Sequence, residues 1–446
     1  MNFSPHTTED VRSMLNFLGL DDLSDLYGHI PKELLFHGKL NLPDGLSEFD
    51  AKTHILEISG KNLQHGNTLV CFAGGGSYDH DISAATNSLA SRSEFVTAYT
   101  PYQPEVAQGV LQALFEFQTL VTRLTALDVS NASLYDGASS LVEAVNLATS
   151  HAKKERVLLS AGIHPNWRQV VETFAIGTGH QVETLPLRNG ITDLSDVDMT
   201  NVAAIAVASP NALGFLERID NLANTAKENK ALLIQVFDPI AASVLKSPGA
   251  SGADIAVGEG QSLGMPLSYG GPYLGLFAVK SEYVRLIPGR LVGETVDKLG
   301  RKAYVTTLRS REQDIRREKA SSNVCTNQTL IAIRAAIQMS WLGTNGIKEV
   351  AKTSASSAHY LANQLVQAGF ELAYDSPYLY EFSIKIEKDP EELVEAACYE
   401  GMLPGIARYP DEIPGISCNL LTIATTEKRT RDEMDRLVSI LKKIAL

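Results

Sequence analysis

The sequence predicts an α/β fold: a mostly parallel sheet wrapped by helices on both faces, followed by a small C-terminal α/β domain. From about Val157 onward, short β-rich runs (RVLLSAG, QVETLPL, VAAIAVAS, ALLIQVFD, DIAVGEG, YLGLFAVK) alternate with helical patterns, the rhythm of an α/β chain. The runs are nearly all apolar instead of alternating, which marks strands covered on both faces. Several end in Gly, Asp or Ser-Pro-Asn, turn residues at the strand ends where such sheets hold ligands.

The elements follow in order. Thr7 can cap a helix with Asp10 at its third position, and Val11, Met14, Leu15 and Leu18 recur at helical spacing before Gly19. A Pro/Gly-rich stretch, Pro31 to Gly45, comes next. This arm, 1–60, is too short for a core of its own and is expected to pack across another domain or chain. The large domain is placed at 61–330 and the small one at 331–446, with strand-like YLYEFSIKI and CNLLTIAT. The last helix opens on a capping box of Thr430 and Glu433, with Met434, Leu437, Val438, Leu441 and Ile444 as its apolar stripe.

With 446 residues, 44% of them apolar, the chain can bury a large core. A formal charge of -13 would repel a polyanion, so nucleic acid and anionic membranes are poor partners. The four cysteines, Cys71, Cys325, Cys398 and Cys418, form no CxxC pair or cysteine-histidine group, so neither a metal site nor disulfides are expected. Cys325 reads as a small buried residue. An acidic N-terminus without an apolar stretch predicts a cytoplasmic protein.

Arm, large α/β domain and small C-terminal domain together are similar to the fold-type I pyridoxal-phosphate enzymes. A site of that type needs a phosphate cradle at a helix N-terminus, an acid for the pyridine nitrogen and a Schiff-base lysine. Asp136 and Gly137, before a helical pattern, suit the cradle and equally an everyday N-cap. Asp238, at the end of ALLIQVF, suits the pyridine acid and equally a turn before Pro239. Where the lysine belongs, the chain has Gln261, whose carboxamide nitrogen is no nucleophile. Lys246, in a helical pattern, and Lys280, at a strand end, read as solvent-facing charges.

The tract LRSREQDIRREKASSNVCTNQ can hold carboxylate or phosphate across an interface, or be a solvated charged helix running into a capped turn. Gly74 to Gly76 permit close backbone approach or a flexible turn, and His80 is a site imidazole or a structural one. The proline-pinned segment with Tyr99 and Tyr102 can line a pocket or face a partner.

In order, EFVTAYTPYQPEVAQG, NASLYDGASSLVEA, IHPNWRQVV, GEGQSLGMPLSYGGPYLGLFAVK, PGRLVGETVD and REQDIRREKASSNVCTNQ resemble the alpha-type subunits of the glycine dehydrogenases (decarboxylating), the P-protein family of the glycine cleavage system. The resemblance implies an enzyme active only as a complex, of two alpha plus two beta chains. Pyridoxal phosphate is then bound covalently by the beta-type partner. Glycine loses carbon dioxide, and its aminomethyl group passes to the lipoyl arm of H-protein. No catalytic residue is expected on this chain. Tyr99, Tyr102, Ser322, Asn323, Thr326, His80 and Gly75 are expected at a shared active-site interface, and Asp136, Gly137, Asp238 and Gln261 in a vestigial pocket. Asp81 and Ser83 depart from the family pattern after His80, as do Ala212 and Leu213, where aromatic residues are usual. These departures leave a non-catalytic regulatory or scaffold protein as the alternative.

Overall fold

The computed structural model describes residues 5–62, 69–97, 100–320 and 322–445. The chain divides into two compact units, 1–63 and 64–446. In the first, Thr7 caps helix Thr8–Leu18: its hydroxyl accepts Asp10 N–H at 3.1 Å, and the Asp10 carboxylate accepts Thr7 N–H at 2.8 Å. This reciprocal box satisfies amides that the first helical turn otherwise leaves unpaired. A second helix, Glu48–Ser59, starts from Ser47.

The second unit is built on a seven-stranded sheet. Its strands are β1 (Val129–Ser130), β2 (Arg156–Ser160), β3 (Gln181–Leu185), β4 (Val202–Ser209), β5 (Leu232–Phe237), β6 (Ile255–Glu259) and β7 (Gly275–Val279), in the order β1-β7-β6-β5-β4-β2-β3. Strands β3, β2, β4, β5 and β6 run parallel, and β7 pairs antiparallel with both β6 and β1. Every residue of β4, β5, β6 and β7 is buried, whereas β3 at the sheet edge leaves Gln181 and Glu183 exposed.

Alternation along β5 decides which helix each side chain meets. Leu232, Ile234 and Val236 pack with α1 (Gly137–Ala152) on one face. Leu233 points to the other face and meets Ile219, Leu222 and Ala226 of α2 (Ile219–Glu228), while Phe237 joins a separate cluster with Leu111 and Leu114 of helix Gln108–Thr125. Burying each such aliphatic side chain contributes roughly 1.5–3 kcal/mol. Gln235 lies between Leu233 and Phe237 on this second face, at the seam of its two clusters.

After β7 the chain runs through helix Thr329–Gln367, interrupted at Gly343 (φ 60°), into an antiparallel sheet of Glu381–Lys385, Leu420–Ala424 and Ile406–Arg408. Helix Arg431–Ala445 closes it. Glu433 accepts Thr430 N–H at 2.8 Å and Thr430 Oγ1 accepts Glu433 N–H at 3.3 Å, the capping box its sequence predicts. Among the described residues, no helix is long and apolar enough to cross a membrane.

Candidate functional site

Gln261 stands two residues beyond β6 and is buried. Its carboxamide is fully used: Oε1 accepts Tyr78 N–H at 2.8 Å, and Nε2 donates to the carbonyls of Tyr78 at 3.1 Å and Met265 at 2.7 Å. Gln261 therefore ties the segment after the glycine turn to the strand end.

Beside it, the Glu259 carboxyl gathers three backbone amides. Oε1 accepts the N–H groups of Gln261 at 3.0 Å and Leu274 at 2.9 Å, and Oε2 accepts that of Gly137 at 3.0 Å. Gly137 is the first residue of α1, capped by Asp136, whose Oδ1 accepts Ser139 N–H at 2.7 Å. The first amide of this helix, of the kind that can hold an anion, is thus taken by a side chain of the same chain. Burial pushes the Glu259 carboxyl up to about 8 against the pull of the Leu274, Gly137 and Gln261 amides. A Cβ on Gly137 would lie 2.0 Å from the Trp167 ring, so only glycine admits this packing.

Asp238, just past β5, accepts Ala241 N–H at 2.7 Å and the Tyr380 hydroxyl. Burial raises its pKa. Tyr380 packs edge-on against Tyr78, whose hydroxyl donates to Glu381 Oε2 at 3.0 Å, and Glu381 Oε1 accepts Gly75 N–H at 2.7 Å. Burial brings the Glu381 carboxyl up to about 7. Arg408 is buried next to Gly75, and its Nε and Nη2 have no hydrogen-bond partner among the described residues. His164, on the same side of Gly75 as Arg408, is held down to about 4 by burial and by the Arg408 and Arg168 charges. The space left between Gly75, Trp167, Asp238, Glu259 and Glu381 is a cavity of only 50 Å³, against the roughly 300–1,000 Å³ of small-molecule sites.

Pyridoxal phosphate does not fit these residues. Glu259 holds the cradle, Tyr380 holds Asp238, Gln261 spends both amide atoms on the backbone, and the remaining volume suits a few waters.

Of the four residues expected in a vestigial pocket, Asp238 lines this cavity together with Gly75, while Gly137 and Gln261 stand behind it, donating their amides to Glu259, and Asp136 caps the helix that Gly137 begins. His80 is buried on the same side: Nδ1 lies 2.7 Å from Glu427 Oε2, and its ring stands edge-on 6.1 Å from that of Tyr380. Tyr102, Ser322, Asn323 and Thr326 lie elsewhere. Tyr102 is half exposed under the Arg290 guanidinium, 5.6 Å from its ring centroid, and Arg290 Nη1 donates to Asn327 Oδ1 at 2.8 Å. Ser322 hydrogen bonds to buried Glu143, which burial raises to about 7. Asn323 is exposed and Thr326 half-buried. Asn327 and Gln328 strap this tract to Ala132, Ser133 and Tyr135, directly before the cradle. Tyr99 lies outside the described residues.

Three expectations need correcting. Cys325 is exposed, because its backbone, through Tyr135 Oη at 3.2 Å, and not its thiol anchors the tract. The charged tract is no continuous helix but three single turns, Arg309–Arg311, Gln313–Arg316 and Arg317–Lys319, with Leu308 and Arg317 at φ 53° interrupting helical geometry. Lys246 lies outside any helix, exposed and paired with Asp220 at 2.6 Å. The residues that depart from the family pattern have local roles: Ser83 Oγ caps helix Ala84–Ala90, and Ala212 and Leu213 fill a core with Phe215. The sequence reading missed Glu259, Tyr380, Glu381 and Arg408. Its available signal was acids and an arginine inside otherwise apolar strand runs, where an ionisable group must find partners.

Residues 1–441 match the family model described as glycine cleavage system P-protein. The chain is 44% identical over 447 residues to the probable glycine dehydrogenase (decarboxylating) subunit 1 of Carboxydothermus hydrogenoformans, with 99% of each chain covered. It is likewise 44% identical to that of Chloroherpeton thalassium, with both chains covered completely. Among solved structures, it superposes with a TM-score of 0.92 and 42% identity on a glycine decarboxylase (P-protein) of the glycine cleavage system in inhibitor-bound form, covering 99% of this chain and all of that one. A cysteine desulfurase from Thermococcus onnurineus, 13% identical with a TM-score of 0.61 over 85% of this chain and 95% of its own, shares the fold alone. The fold is that of the fold-type I pyridoxal-phosphate enzymes, and the chain belongs to the glycine cleavage system P-protein family, alongside its subunit 1 proteins.

Proposed function

We propose that this chain is the cofactor-free subunit of a glycine-decarboxylating enzyme, completing a site whose pyridoxal phosphate is held by a beta-type partner. The observation that carries this reading is Glu259 on the Gly137 amide: the chain has stopped its own anion cradle with a carboxyl group. The reaction we assign, supported by family membership, is that glycine loses carbon dioxide and its aminomethyl group passes to lipoylated H-protein. The name subunit 1 carried by its relatives supports a second chain. When bound by that chain, the cofactor supplies an electron sink for decarboxylation.

On this chain, Tyr102, Asn323 and Thr326 are the proposed contributors to the shared site, with Ser322 and Arg290 holding them in place. Tyr102 and Asn323 are open to a partner, and the tract is braced from behind by Asn327 and Gln328. Their proposed work is to orient glycine and exclude water; the covalent chemistry belongs to the partner.

The test is visible absorbance with pyridoxal phosphate and glycine-dependent carbon dioxide exchange, on this chain alone and mixed with its partner. A colourless, inactive chain that confers activity on the mixture supports the proposal. A coloured chain with a borohydride-trapped lysine overturns it.

A further inference from the structure

We infer that a second cavity, on the other side of Phe237 and Asp238 from the filled pocket, is a binding site for a small anion carrying an amide-type edge, such as a nucleoside monophosphate. This cavity has a volume of about 430 Å³, within the range of small-molecule sites. It opens on the second face of the sheet, between the first turn of α2 and the segment from Ala242 to Lys246.

Gln235 forms its wall. The side chain is 4% exposed, yet among the described residues its carboxamide has no hydrogen-bond partner, and Oε1 is wholly buried. A buried carboxamide without a partner is unusual in a strand whose other side chains are all apolar. Whichever way the amide is turned, it presents a donor beside an acceptor. That edge is complemented by another amide, a lactam or a nucleobase, which returns an acceptor beside a donor.

The anion is assigned from which charged groups are left without partners. Glu217 is occupied, accepting from Thr192 N–H at 3.0 Å, Thr192 Oγ1 at 3.0 Å and Asn211 Nδ2 at 3.1 Å. Asp238 is held by Tyr380 and Ala241, and Asp220 pairs with Lys246 at the rim. Arg218 remains: exposed, on the cavity lining, and with no hydrogen bond from its guanidinium among the described residues. The rim pair is more than half exposed on both sides, so Lys246 is also free to turn to a ligand at little cost.

The experiment is calorimetry and saturation-transfer NMR of the full chain with adenosine and uridine 5′-monophosphates, with adenosine and inorganic phosphate as controls. At least one nucleotide is expected to bind saturably and more tightly than either control. Gln235→Met and Arg218→Ala should each weaken it by about tenfold, the loss of one hydrogen bond or one charge contact. Arg218→Ala changes an exposed residue, so it reads binding even if Gln235→Met unfolds the strand. Absence of saturable binding at millimolar nucleotide, or binding that neither variant changes, overturns the assignment. The proposal is independent of the subunit's role in glycine decarboxylation, since neither variant touches the filled pocket or the tract with Thr326.

Discussion

The carboxyl group of Glu259 accepts the amide hydrogen of Gly137 at 3.0 Å, joining the end of β6 to the first turn of a helix 122 residues earlier in the chain. A helix N-terminus of this kind attracts anions through its unpaired amides and its dipole. Here the anion site is satisfied internally, and the consequences are measurable.

Restoring the missing lysine should not restore cofactor binding. In Gln261→Lys the ammonium group can still donate to the Tyr78 and Met265 carbonyls, but the Tyr78 N–H loses its acceptor. The expected cost is about 1–3 kcal/mol for the unpaired buried amide. Urea unfolding reads that loss, and a yellow variant with pyridoxal phosphate would show the pocket to be less filled than described.

Stability should fall with pH. Glu259 is raised from 4.5 to about 8, and Glu143 and Glu381 to about 7. The folded state thus keeps protons the unfolded chain has released, so stability present below about pH 4.5 is lost as pH rises to about 8. His164, lowered from 6.5 to about 4, acts the opposite way but only below about 6.5. Between about pH 7 and 8 the fall includes the contribution of Glu259, alongside buried Asp238 and Glu217, whose carboxyls burial also raises. It has a limiting slope of roughly 1.4 kcal/mol per pH unit per proton. Glu259→Gln should make it shallower, and equally steep curves for variant and parent would exclude this protonation.

Gly137→Ala should be destabilising by roughly 1–3 kcal/mol through overpacking, because the new methyl group collides with the Trp167 ring. The double variant with Trp167→Leu should recover part of the loss. Additive effects in thermal unfolding would mean that Trp167 is not the obstacle.

In the complex with a beta-type partner, Tyr102→Ala and Thr326→Val should lower glycine turnover by about tenfold each, equivalent to about 1.4 kcal/mol of transition-state stabilisation. The cofactor absorbance of the mixture should not change. Turnover equal to the parent in both variants would remove these residues from the shared site.

The sequence by itself determined much of the fold and the defect in the site. Apolar runs from Val157 to Lys280 specify buried strands because only a sheet covered on both faces keeps such runs from water. Gln261 forbids a Schiff base whatever surrounds it, because its nitrogen lone pair is delocalised. The caps at Thr7 and Thr430 are equally local, with partners three residues away. Tertiary structure alone decided what fills the pocket. Gly137 meets Glu259, Tyr78 meets Gln261 and Asp238 meets Tyr380 across 122, 183 and 142 residues of chain. Periodicity carries no record of such pairings, because each residue alone is compatible with a turn, a cap or a core position. It is the low dielectric of the buried site that forces each polar group to find its partner, and only the folded chain shows which one it found.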